Sequence, residues 1–187
     1  RRARIVLQNR ASKGKLSKKA LAKLYTIYQN DANADYRLRA MWALQVTNAL
    51  DEKKLTEALA DKDAYIRAWA IQFLAENESV SPNTLVLFEK LGKEDPSPVV
   101  RLYLASALQR MKPDMRWKLG EALLAHGDDV ADHNLPKMIW YGIEPLVKIN
   151  PTKALEMASK SKLPMVTNYI ARRAMDADAT ESLLAAI

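Results

Sequence analysis

Residues 61–74 read DKDAYIRAWAIQFL, and residues 95–108 read DPSPVVRLYLASAL. In each, an Asp stands six residues ahead of an Arg, and the two stretches lie 34 residues apart. Apolar side chains follow at helical spacing: Ile66, Trp69, Ala70, Phe73 and Leu74 in the first, Val100, Leu104, Ala105, Leu108 and Met111 in the second. A weaker copy lies upstream, where Asn33 precedes Arg39 by the same six residues. The recurring unit is a turn residue that caps a helix, followed by an Arg in that helix's first turns. The turn carboxylate can reach an Arg of the same or the neighbouring helix. Repetition of Asn33/Arg39, Asp61/Arg67 and Asp95/Arg101 therefore predicts a structural ladder that ties repeats together. Exposed pairs of this kind contribute only about 0–1 kcal/mol. If the pair is buried, losing one partner costs about 3–5 kcal/mol, because the other charge is stranded.

The same helical spacing runs through nearly the whole chain, and no stretch alternates with period two, so no strand is predicted. Short polar punctuation rich in Asp, Asn, Ser and Pro separates the segments. Helices are expected near 1–11, 16–29, 34–49, 52–60, 64–77, 82–93, 97–112, 114–126, 134–149, 151–160, 163–176 and 178–187. Short helices on short links pack as antiparallel pairs, and pairs recurring every 28 to 36 residues indicate a solenoid. The fold class is all-α: an α-solenoid of about five or six stacked helix pairs, read as one domain over residues 1–187. The likeliest contact surface of such a stack is the face lined by the second helices of the pairs.

Composition narrows the chemistry. The chain has no Cys, which excludes disulfides, thiolate metal sites and a Cys nucleophile. No run of about 18 apolar residues and no signal peptide occurs. Residues 1–23 hold nine Lys/Arg and no acid, and residues 1–50 carry +9 of the net +7, leaving −2 for the remainder. The basicity belongs to one end, where it can serve a solvated face, an acidic partner or phosphates. No Gly-x-Ser-x-Gly turn and no Gly-rich phosphate loop is present, so no catalytic residue is assigned.

The turn Asp (once followed by Pro, at Asp95-Pro96) ahead of Ile66-Arg67 and Val100-Arg101 resembles the HEAT repeat. Later pairs, around Pro136–Val147 and Pro164–Ala174, keep the apolar spacing without the Asp–Arg pair. Four strings go further: RRARIVLQNRASKGKLSKKALAKL (1–24), YRLRAMWAL (36–44), YIRAWAIQFLAE (65–76) and DDVADHNLPKMIWYGIEPLV (128–147). Together they resemble the helical-repeat region of large exported planctomycete and Bacteroidetes proteins. These are the membrane-bound dehydrogenase-like or PVC-type haem-binding family. That resemblance implies a sugar-dehydrogenase-like β-propeller before this region and a Cys-x-x-Cys-His cytochrome c domain after it. It also implies a periplasmic or cell-surface location. On this reading the chain is a piece of a larger multidomain protein. Haem c would belong to a neighbouring domain, since a Cys-free segment has nowhere to attach it.

Three further groups stand out. In HGDDVADH (126–133), Asp128, Asp132 and His133 are weak candidates for a divalent metal, against capping and solvation of a helix N-terminus. In WYGIEPLV (140–147), Pro145 falls inside a helical pattern and predicts a bend. The bend would either let later repeats follow the superhelix or present Trp140, Tyr141 and Glu144 to a partner. Trp42, Trp69, Trp117 and Trp140 sit in apolar stripes and are expected to pack in the core.

The sequence thus predicts a non-catalytic helical-repeat scaffold without a cofactor of its own, whose partners are proteins or neighbouring domains. The alternative is a nucleic-acid-binding HEAT-like protein, similar to the HEAT-like DNA glycosylases, that uses the basic N-terminal end.

Overall fold

The computed structural model describes residues 2–76 and 80–176. Eleven α-helices and two 3-10 turns, and no strand, make up the described residues. The chain is an all-α solenoid of helix pairs, as its spacing predicts. It divides into two compact units, Arg1–Phe73 and Leu74–Ile187. The helix expected over 178–187 lies outside the described residues.

The first unit holds α1 (Arg2–Ser12), α2 (Lys18–Asn30), α3 (Ala34–Gln45), α4 (Glu52–Ala58) and nearly all of α5 (Ala64–Leu74). Side-chain caps start two of them. Asn33 accepts the N–H of Asp35 at α3, and Asp51 accepts that of Lys54 at α4, each quenching a donor the helix leaves unpaired. Met41, Leu44, Ile66, Ala68 and Ala70 are fully or nearly fully buried here. The Tyr25 hydroxyl donates to the carbonyl of Ala49, tying α2 to the link after α3. In contrast, neither α1 nor α2 contains a buried residue.

The second unit runs through α6 (Pro82–Glu94), α7 (Pro98–Leu108), α8 (Trp117–Leu124), α9 (Leu135–Ile149), α10 (Pro151–Ser159) and α11 (Pro164–Asp176). Pro opens α6, α7, α9 and α10 at the first positions, where its missing N–H costs nothing. Here α9 packs on both α7 and α11, while α6 packs on α8, so alternate helices form two layers. Phe88, Leu104, Leu108, Leu119, Ile139 and Ile143 are completely buried between them.

α9 stays helical through Pro145. It also lies against α7 closely enough that a Cβ on Gly142 would fall 2.6 Å from the Cβ of Leu108. Only glycine fits there, because both obstructing atoms are anchored on helical backbone.

Candidate functional site

The turn motif at the start of α3, α5 and α7 has one geometry. Asp61 Oδ1 accepts the N–H of Asp63 at 2.9 Å, and Asp95 Oδ1 accepts that of Ser97 at 2.9 Å. Asp31 Oδ1 accepts the N–H of Asn33 at 2.9 Å in the same way. The upstream copy is therefore Asp31/Arg37, two residues earlier than the Asn33/Arg39 pair expected from spacing. Asn33 is instead the cap of α3, and Arg39 is exposed. The reason is facial. Arg37 shares a stripe with the buried Ala40, Met41 and Leu44, as Arg101 does with Leu104, Ala105 and Leu108. Arg39 points off that stripe.

Each arginine grips its own turn through backbone carbonyls, not through the expected carboxylate. Arg67 Nη1 donates to the Asp61 carbonyl at 2.9 Å, and Arg101 Nη1 donates to the Asp95 carbonyl at 2.9 Å. Arg37 Nε donates to the Tyr28 carbonyl at 2.9 Å. The carboxylate bonds reach across repeats. Arg37 forms a two-pronged bond with Asp61, 24 residues on, one prong being 3.1 Å from Nη1 to Oδ1. Arg101 forms another with Asp129, 28 residues on, at 2.6 and 2.5 Å. The hydrogen bond to Asp61 holds the Arg37 guanidinium above its ordinary pKa. Such two-pronged charge-assisted pairs are the stronger kind of hydrogen bond.

Arg116, which the sequence gave no reason to single out, is also buried, at 8% exposure. It donates to the carbonyls of Met111, at 2.9 and 2.6 Å, and of Gly142, at 2.9 Å. Burial lowers its pKa. Its contacts staple the link after α7 to the middle of α9.

The 126–133 segment disperses into similar duties. Asp129 is taken by Arg101. Asp132 Oδ1 accepts the N–H groups of Asn134 and Leu135, at 2.8 and 2.7 Å, and these bonds hold its carboxyl below the usual range. His126 Nε2 lies 2.7 Å from the Gly92 carbonyl. Asp128 and His133 are exposed. Among the described residues, no three His, Asp or Glu side chains are grouped so as to hold a metal ion.

The trio Trp140, Tyr141 and Glu144 is split. Trp140 packs on Tyr169 with ring centroids 5.4 Å apart, and Glu144 Oε1 lies 2.8 Å from Arg173 Nε, so both are engaged with α11. Tyr141 is 57% exposed. Trp117 is buried with the Lys153 ammonium 4.5 Å from its ring centroid, and Trp42 meets Trp69 edge-on at 4.9 Å.

A cleft of about 540 Å³ opens between α1, α2 and α3. Leu7, Leu24, Ile27 and Trp42 give it an apolar floor, and Arg4 and Arg39 stand among its walls. The Arg4 guanidinium lies 5.0 Å from the Trp42 ring centroid. The Trp42 indole nitrogen is buried without an acceptor. Spacing arguments missed this cleft because its lining comes from three helices. The excess of basic residues over 1–23 was its one sequence signal.

A family model for HEAT repeats matches residues 21–109. That stretch contains all three copies of the HEAT-like turn, at Asp31, Asp61 and Asp95. No curated protein and no solved structure matches the chain. No helix among the described residues is long and apolar enough to cross a membrane.

Proposed function

We propose that this chain is a non-catalytic scaffold that presents helical-repeat surfaces to proteins or neighbouring domains. The observation that carries the reading is where the buried charges go. Arg37, Arg101 and Arg116, with Asp61 and Asp129, are spent on helix-to-helix and helix-to-turn bonds. The HEAT-repeat match over 21–109 supports it, since such repeats usually mediate protein interactions.

The finer context rests on resemblance. NLPKMIWYGIEPL (134–146) and the other strings resemble the helical region of exported, redox-associated planctomycete and Bacteroidetes proteins. On that ground the chain belongs outside the cytoplasm, beside a β-propeller and a haem c domain, and carries no cofactor itself.

The test is the complete reading frame, followed by calorimetric titration of the chain with its flanking domains. A propeller and a Cys-x-x-Cys-His segment, with 1:1 binding, are expected. A frame without either removes the redox context. Substrate turnover by the purified chain, or one stoichiometric metal lost on Asp128→Ala and His133→Ala substitution, overturns the scaffold reading.

A further inference from the structure

We propose that the cleft between α1, α2 and α3 docks an acidic amphipathic segment of a partner protein. An apolar side chain of that segment sits on Leu7, Leu24, Ile27 and Trp42, and its carboxylates face Arg4 and Arg39. The inference deepens the scaffold reading and rests on it, by naming the surface and the chemistry of what it takes.

Two independent properties of this region define the occupant. The first is uncovered apolar surface. α1 buries none of its residues, and Ile5 and Val6 are 55% and 48% exposed. The cleft they adjoin has about 540 Å³ of open space, room for a few side chains. A folded chain gains about 25 cal/mol for each Å² of such surface that a partner covers.

The second is charge. Residues 1–23 carry nine Lys/Arg and no acid, so a covering segment meets a field of one sign. A negatively charged partner is drawn in faster and held in register by that field, and a basic one is repelled. Arg4 is fixed over the Trp42 ring, so its guanidinium is positioned before a carboxylate arrives. The lining favours a peptide over nucleic acid. Aliphatic Leu7, Leu24 and Ile27 offer nothing to a phosphate, and Asp31 beside them repels one. Helix-in-groove recognition of an amphipathic segment uses this combination of apolar floor and charged rim.

The probe is a fluorescein-labelled 18-residue helical peptide of Glu and Leu with all leucines on one face, titrated into the whole chain by anisotropy. Its controls are the same composition scrambled to remove the face, polyglutamate of equal charge, and a single-stranded 20-nucleotide DNA. Expected are 1:1 binding at least tenfold tighter than all three controls, and a further weakening of tenfold or more in the Arg4→Glu/Arg39→Glu variant. That variant should keep its melting temperature, because both side chains lie at the surface. Rising salt should weaken binding without abolishing it. Polyglutamate or scrambled peptide binding equally well overturns the proposal, since the cleft would then be idle. Tighter binding of DNA, self-association through this face, or no binding at all overturns it too. Flanking domains that still bind the Arg4→Glu/Arg39→Glu variant would dismiss the cleft and leave the scaffold reading standing. Turnover by the chain would dismiss the scaffold reading alone.

Discussion

The Arg37–Asp61 and Arg101–Asp129 pairs make the same bonds in different surroundings. Both arginines grip a carbonyl of the chain just upstream and a carboxylate roughly one repeat downstream. The Arg101 and Asp129 side chains are 6% and 3% exposed, against 9% and 14% for Arg37 and Asp61. Solvent still reaches Asp61 and hardly reaches Asp129. The cost of breaking the clasp should therefore track how far the surviving partner is cut off from water, even where the bonds match.

The largest expected effect follows directly. Arg101→Ala or Asp129→Ala strands a charge in the interior of the second unit and should cost about 3–5 kcal/mol in urea denaturation. The double variant Arg101→Met/Asp129→Leu should recover most of that loss, because no charge is left unpaired. A double variant as unstable as the singles would show that packing, not charge, carries the effect. Arg37→Ala should cost less, about 1.5–3 kcal/mol, the range for a hydrogen bond to a charged group. Equal losses at the two sites would break the comparison.

Gly142→Ala should cost about 1–3 kcal/mol, because a methyl group cannot enter between α9 and Leu108 without backbone movement. Smallest is Asp132→Ala, about 0.5–2 kcal/mol at neutral pH through the lost cap of α9. Its sign with pH is fixed by the depressed carboxyl. The bonds to Asn134 and Leu135 favour the ionised form, so their contribution is present above the ordinary Asp pKa of about 4. It fades as pH falls through the lower folded value. Wild type and Asp132→Ala should therefore converge in acid, as read by denaturation at stepped pH.

Helices and stripes were legible because both are set by neighbours three and four residues away. The stripe Val100, Leu104, Ala105, Leu108 and Met111 is buried throughout, and α9 begins and ends within a residue of its expected bounds. The clasp partners were not legible. YRLRA offers two arginines, each six residues after a turn-forming side chain, and spacing alone cannot choose between them. The usable signal was the stripe: Arg37 lines up with Ala40, Met41 and Leu44, and Arg39 does not. Asp129 reads locally as one more acid near a helix start. Its claim on Arg101 depends on a packing angle that no local pattern encodes. Arg116 is less visible still, because it bonds carbonyls, which every residue has.

The clasps close short circuits of chain, spanning 24 and 28 residues. Loop entropy grows slowly with length, each doubling costing only about 0.6 kcal/mol. The links between helices can therefore gain residues while the fastenings hold. The stretch before α9 shows such tolerance: the Asx turns at Asp95 and Asp132 are 37 residues apart, against 30 for Asp31 and Asp61, and two 3-10 turns take up slack. Evolution can thus vary the connectors of this protein for recognition without renegotiating its framework.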